Sequence, residues 1–315
     1  MSVLARGYDT DVRKSLFLAR ELFQVSDCLE LSGIETLPYK GIVLSEVFYG
    51  DMALRRPGDL DLLVRGRDAL RAKNAVREVG YRARVAIPEA AEPDYVASGY
   101  EYTFDSSTGK NVLELKWALV PGYFAIDFDV EGLFERAVGV EVGGRAVKTL
   151  SPDDLMLVLS VHAAKHVWGR LIWLCDIAQV LRRAQLNWNV IRVQAERLGI
   201  QRMLHVTLLL TQQLLGVAIP AEIADAVASD RSAQGLAEEI ARAVAAGTTY
   251  EEQQISYFRL MMRLRERRGD RLRFLSRLAF TPGPGEWETI RLPRPLFPVY
   301  RLVRLARLAA KLAGN

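Results

Sequence analysis

Apolar and polar positions follow two different periods along the chain, and the change between them divides it. From Asp11 to Ser32, Val12, Leu16, Ala19, Leu22, Phe23, Leu29 and Leu31 recur mostly at helical spacing before Gly33, which predicts an amphipathic helix. The stretch "GIETLPYKGIVLSEVFYGD" reads as a short extended piece and a turn leading into a helix near Ile42 to Phe48. Leu60 to Val64 reads as a strand, and "RDALRAKNAVREVGY" returns to helical period with Gly80 as its stop. From Tyr100 the period is two: "YEYTFD" and "NVLELKW" flank the polar "SSTGK", which predicts a β-hairpin.

At "SPDD" the pattern becomes helical for most of the remainder. Ser151 can cap, Pro152 suits the first helical position, and Asp154 complements the helix dipole. Helices are expected at about 153 to 184, 188 to 198, 201 to 215, 221 to 246 and 250 to 278. The Pro/Gly-rich "TPGPGEWETIRLPRPLFP" reads as a loop, and "VYRLVRLARLAAKLAGN" as a last helix. A domain boundary is expected in "VGVEVGGRAVKTL", dividing the chain into 1–148 and 149–315.

Composition narrows the class without naming a chemistry. The 315 residues are half apolar, enough to bury a sizeable core. Two distant cysteines, Cys28 and Cys175, with no CxxC spacing, predict a reduced, cytoplasmic protein without a cysteine metal site. The start, "MSVLARGYDTDVRKSL", lacks a secretory apolar region, and no run approaches the roughly 18 apolar residues of a membrane span. Charge is uneven. From Arg259 onward there are fourteen Arg or Lys against four acids, so the first 258 residues carry −6 within an overall +4. In the last helix Arg304, Arg307 and Lys311 form a basic stripe beside Leu305, Leu308 and Leu312. Packing on the parent domain is the default for it, and contact with an anionic membrane surface is the alternative.

The chemistry is concentrated in "GDLDLLV". Asp59 and Asp61 alternate along a strand and therefore share a face, with Leu60 and Leu62 on the other. Two adjacent carboxylates repel unless a cation lies between them, and oxygen-only ligation suits magnesium or manganese. In the hairpin's second strand Val112, Glu114 and Lys116 share a face, which makes Glu114 a candidate third carboxylate. Lys40 and Gly41 stand at a turn entering a helix, where backbone N–H groups and an ammonium can hold phosphate oxygens. Arg55 and Arg56 lie close by in sequence. A second acidic pair, Asp127 and Asp129 in "IDFDV", lacks the glycine turn and apolar run and reads as a solvated strand end or turn. His162 and His166 sit one turn apart in "HAAKHVWGRLIWLCDIA", with Arg170 and Trp173 continuing the face. The HExxH glutamate and a third ligand are missing, so zinc is not expected there. His205 reads as a core or interface histidine.

The order Lys40-Gly41, Arg55 or Arg56, "DLDLLV", "ELKW", "HAAKHVWGRLIWLCDIA" and the closing "EWETIRLPRPLFPVYRLVR" resembles the bacterial uncharacterised nucleotidyltransferase family of the nucleotidyltransferase superfamily, from about Leu37 to Arg307. The resemblance implies an α+β fold: a nucleotidyltransferase-type mixed sheet with flanking helices, plus an α-helical second domain that binds substrate or nucleotide and closes the cleft. It implies that Asp59, Asp61 and Glu114 bind Mg2+ or Mn2+ on an NTP, and that Lys40, Gly41 and an arginine of the 55/56 pair meet the phosphates. His162, Lys165, His166 and Arg170 are read as reaching across that cleft to phosphates or acceptor, the alternatives being a helix packed through Leu171, Leu174 and Ile177 and an Asp176 that orients a basic neighbour. A nucleotidyl group would pass to an acceptor hydroxyl on a peptide, sugar or small metabolite, with tRNA as a further option. The competing class is a catalytically silent protein of this fold that binds nucleotide or peptide. Position 116 departs from the pattern, since many relatives carry histidine there. A lysine there suits neither metal binding nor neutral-base chemistry, which weakens any role for position 116 and leaves Glu114 untouched; the alternative for Glu114 is an exposed strand residue paired with Lys110 or Lys116.

Overall fold

A computed structural model of the chain describes residues 3–56, 58–247, 255–281 and 299–313, with burial described between 8 and 306. The chain forms two compact units, one from Met1–Pro121 and Phe128–Ser151, the other from Gly122–Asp127, Pro152–Thr281 and the C-terminal helix.

The first unit is α+β. Its long helix α1 (Val3–Leu31) leads to the two-residue strand β1 (Leu37–Pro38) and the short helix α2 (Gly41–Leu44), which continues as a π-helical turn over Ser45–Tyr49. Then come β2 (Leu60–Leu63), α3 (Ala69–Glu78), β3 (Tyr81–Ala83), α4 (Glu92–Ser98), β4 (Glu101–Ser106) and β5 (Val112–Lys116). The five strands form one mixed sheet in the order β1-β2-β5-β4-β3, with only β2 and β5 parallel. Helix α5 (Val130–Glu135) and a separate hairpin, β6 (Val138–Val142) and β7 (Arg145–Thr149), complete the unit.

Side-chain alternation sorts this sheet into two faces. Leu60, Leu62, Leu113, Leu115, Tyr102 and Phe104 are buried neighbours on one face. Asp61, Glu114 and Thr103 line up across the other, with Lys116 and Glu101 paired two residues further along. The hairpin expected around "SSTGK" forms as β4 and β5. The stretch "VGVEVGGRAVKTL", read as a boundary, is the β6–β7 hairpin, with Gly143 and Gly144 at positive φ of 54° and 78° closing its tight turn. In α1 the buried stripe is Leu18, Ala19, Leu22, Val25 and Leu29, whereas Leu16 and Leu31, read as part of the apolar face, are exposed.

The second unit is helical: α6 (Pro152–Lys165), α7 (Leu171–Arg183), α8 (Trp188–Leu198), α9 (Gln201–Leu215), α10 (Ala221–Ser229), α11 (Arg231–Ala245), α12 (Ile255–Arg263), α13 (Arg268–Phe280) and α14 (Tyr300–Ala313). Three of the expected helices are interrupted. The one over 153 to 184 breaks where Val167 and Trp168 take left-handed φ of 51° and 49°. That backbone is unfavourable for such residues. Burial of both side chains offsets it, together with the Trp168 indole N–H donating to Thr207 Oγ1 at 3.0 Å. The helix over 221 to 246 breaks at Asp230, whose carboxylate accepts from the Ala233 N–H at 3.0 Å and caps α11. The third break lies between α12 and α13, where Arg265 turns inward; residues 250 to 254 of that helix, and the Pro/Gly-rich loop, fall outside the described residues. In α14 the Arg304 guanidinium donates to the Leu278 carbonyl at 2.6 Å and lies over the Tyr123 ring. Among the described residues, no helix is long and apolar enough to cross a membrane.

Candidate active site

The polar face of the five-stranded sheet assembles the carboxylates. Parallel pairing sets Asp61 of β2 directly beside Glu114 of β5. Asp59 stands two residues before Asp61, so the same alternation aims it to the same side. One oxygen or more from each of Asp59, Asp61 and Glu114 lies within 4.8 Å of the others. Asp61 is buried, and its Oδ2 has no hydrogen-bond partner. A buried carboxylate oxygen left unpaired is costly. Three converging carboxylates with a spare oxygen fit a hard divalent cation such as Mg2+ or Mn2+, which takes oxygen ligands.

Cationic side chains surround the same group. Lys40, at the entry to α2, is buried and places Nζ 2.7 Å from Asp61 Oδ1. Gly41 follows with φ +57°, a conformation that glycine adopts without strain. Ser45 Oγ lies 3.1 Å from the Gly41 carbonyl and 3.0 Å from the Arg55 carbonyl, tying the start of α2 to the segment before β2. Arg55 is buried, and its charge acts on Asp59. Arg56, its sequence neighbour, is exposed and donates to Asp11 Oδ1 at 2.6 Å, so the arginine pair is divided between the carboxylates and α1.

Reading the sequence missed Glu101, the further partner of Lys116. Lys116 is buried on the polar face, with Nζ 2.5 Å from Glu114 Oε2 and 3.7 Å from Asp61 Oδ1, and it also bonds Glu101. The pairing of Glu114 with Lys116, one of the alternatives for Glu114, forms, with the ammonium buried among carboxylates. The signal was present: Glu101 and Thr103 alternate in "YEYTFD" just as Glu114 and Lys116 do in "VLELK".

Electrostatics set the three carboxylates apart. Burial, with the charge of Asp61, raises the pKa of Asp59. Burial likewise pushes Glu114 up, against the pull of Lys116. For Asp61, burial acts upward too, but Lys40 and Lys116 outweigh it and hold the group below the usual aspartate range. Burial alone would depress Lys116, yet Glu101, Tyr39, Asp61 and Glu114 together keep it well above the ordinary lysine value. Asp61 thus stays ionised while Asp59 and Glu114 are the easier groups to protonate.

The remaining candidates belong to the helical unit. The rings of His162 and His166 on α6 and Trp173 on α7 form a cluster with centroid separations of 4.9, 5.3 and 5.1 Å. The Lys165 carbonyl accepts from the Tyr257 hydroxyl at 2.9 Å, and Arg170 is exposed at the N-terminal cap of α7. His205 is buried beside Asp230, with Nδ1 3.2 Å from Oδ2. Of the second acidic pair, Asp129 caps α5 by accepting from the Gly132 N–H at 3.1 Å, and Asp127 pairs with Arg277.

Residues 3–216 match the model of a family described as uncharacterised nucleotidyltransferase. No curated protein matches the chain. Among solved structures, the chain is similar to the antibiotic-resistance factor ANT(2'')-Ia, with 11% identity and a TM-score of 0.43, over 58% of this chain and 91% of that one. It is also similar to an antigenic nucleotidyltransferase-like protein from Paracoccidioides brasiliensis, with 14% identity and a TM-score of 0.37, over 69% of this chain and 92% of that one.

Proposed function

Because the chain belongs to the uncharacterised nucleotidyltransferase family, we propose that it moves a nucleotidyl group from an NTP to an acceptor hydroxyl, releasing pyrophosphate, in a reaction that depends on Mg2+ or Mn2+. The observation that carries this reading is the meeting of Asp59, Asp61 and Glu114 within 4.8 Å, with a buried Asp61 oxygen left unpaired.

A divalent ion held by these carboxylates would supply charge neutralisation at the phosphates and a lower pKa for the acceptor hydroxyl. The chain's own groups do the rest. Asp61, kept ionised by its lysines, is the permanent anion of the set. Glu114, beside Asp61 on the same face, is suited to take the acceptor's proton as oxygen attacks the α-phosphorus and the bond to the pyrophosphate oxygen breaks. Lys40, the Gly41 N–H and Arg55 are assigned to the phosphates, as point charges and a donor. Arg56 is a weaker candidate for that role, since its side chain is engaged by Asp11. His162, Lys165, His166 and Arg170 are assigned to phosphates or acceptor. In this reading 1–148 is the catalytic domain and 149–315 the substrate- and nucleotide-binding domain. A peptide, sugar or small metabolite is favoured as acceptor, and the 3′ end of tRNA is the further option.

One observation favours the silent-binder alternative: Lys40 and Lys116 already balance part of the carboxylate charge without any ion. Incubation with Mg2+ or Mn2+ and each NTP, against a panel of peptide, sugar and tRNA acceptors, separates the two. Pyrophosphate release that disappears with chelator supports nucleotidyl transfer. Metal-dependent nucleotide binding in calorimetry with no turnover for any acceptor supports the silent binder.

A further inference from the structure

Lys116 lies among the carboxylates, yet the proposed chemistry gives it no task. Its position follows from register. It comes two residues after Glu114 on β5 and so shares that face, and it is the cross-strand partner of Glu101 on β4. The ammonium is therefore shared, bonding Glu101 on one side and Glu114 at 2.5 Å on the other. An ammonium in contact with a carboxylate competes directly with any cation for that carboxylate's oxygens. Glu101 lies outside the three-carboxylate group, so it gives Lys116 an anion to keep when Glu114 turns elsewhere.

Resting on the metal-dependent reading above, we propose that Lys116, shared between Glu101 and Glu114, is a built-in counter-cation that a divalent ion displaces from Glu114 onto Glu101 as the three-carboxylate site is completed. Lys116 is then a positioning residue that acts through Glu114. In the ion-free protein Lys116 balances part of the carboxylate charge, together with Lys40. A divalent ion alone binds weakly, and binds better when a triphosphate brings further negative charge to the site.

Mn2+ binding to the full-length protein, followed by electron paramagnetic resonance with and without a non-hydrolysable NTP analogue, tests this in wild type, Lys116→Met, Lys116→Arg and Glu101→Gln. Lys116→Met is expected to bind Mn2+ alone at least about tenfold more tightly and to acquire a Mn2+-dependent melting temperature. Lys116→Arg, which keeps the charge, should stay close to wild type. Glu101→Gln leaves the ammonium to Glu114 and Asp61, so its Mn2+ affinity should fall by several-fold, and it decides the matter should Lys116→Met fail to fold. Unchanged Mn2+ affinity in Glu101→Gln, or in a folded Lys116→Met, overturns the proposal. If wild type still binds Mn2+ with the analogue in that case, nucleotidyl transfer survives. No Mn2+ binding by any form, with or without the analogue, overturns both.

Discussion

Lys116 and Arg265 are both cations almost wholly withdrawn from water, at 6% and 1% exposure, and the chain surrounds them in opposite ways. Arg265 lies 3.9 Å from the Phe274 ring centroid and 5.0 Å from that of Phe124, and donates to the Met261 carbonyl at 2.6 Å and to the Phe124 carbonyl. Its direct partners are neutral, and burial pulls its pKa down to about 10. Lys116 is held by carboxylates that push its pKa up, within a group that still has an unpaired buried oxygen. Arg265 is held by ring faces and carbonyls within one helical unit, with the charges of Asp270 and Glu266 acting on it besides. A cation set among an excess of anions leaves a field that a ligand can use.

The contrast is broken most severely at Asp61. Asp61→Asn removes the ionised centre of the group and should lower pyrophosphate release by about a thousandfold, the scale of losing one preorganised electrostatic group; a variant within threefold of wild type would remove Asp61 from the chemistry. Arg265→Leu should act in the opposite sense. Loss of its bonds to two carbonyls is expected to cost about 3 kcal/mol in urea unfolding, while turnover per folded molecule stays unchanged.

Asp230 sharpens the comparison from the acidic side. It caps α11 and pairs with Arg202 and His205, and although burial alone would raise its pKa, the cap and the two bases lower it. A carboxylate with a depressed native pKa stabilises the fold above its unfolded value near about 3.9, and that contribution is lost as pH falls through the native value. Asp230→Asn keeps an oxygen at the cap, so it should cost about 1 kcal/mol at neutral pH. That difference should vanish as unfolding is measured at progressively lower pH below about 4; a constant difference would show that the charge does not matter. The smallest effect is expected at Arg56. Its ion pair with Asp11 is exposed, and Arg56→Ala should shift stability by no more than about 0.5 kcal/mol, with the KM for NTP within twofold. A large rise in KM would return Arg56 to the phosphates.

How far these sites were legible depends on the range of the interactions that make them. Asp59 and Asp61 were readable because period-two alternation is a local property; Glu114 was a candidate from its strand face, while its meeting with them rests on the pairing of β2 with β5. Glu101 was not singled out, since its meeting with Lys116 depends on which residue of β4 lies opposite which residue of β5. The mixed sheet and helical second half were expected, but the break at Val167 and Trp168 was not. No local propensity favours left-handed tryptophan; a distant hydroxyl on α9 and full burial hold it there. The same limit explains α1. Leu16 and Leu31 fit an apolar list, whereas partners supplied by the rest of the fold select Leu18, Leu22, Val25 and Leu29 as the buried stripe. The β6–β7 hairpin was read as the region of a domain boundary because its strands are largely exposed and rich in glycine and charge.

The parallel pairing of β2 with β5 carries a consequence for how this protein comes into being. Parallel neighbours cannot be joined by a tight turn, so α3, β3, α4 and β4 must all be threaded between Asp61 and Glu114 before the two side chains can meet. As the chain emerges during synthesis, Asp59 and Asp61 wait for residues more than fifty positions behind them, and the three carboxylates come together only when β5 pairs with β2. The carboxylate cluster therefore forms with the closing of the sheet's centre, and pulse-labelled hydrogen exchange during refolding should find β2 and β5 gaining protection together.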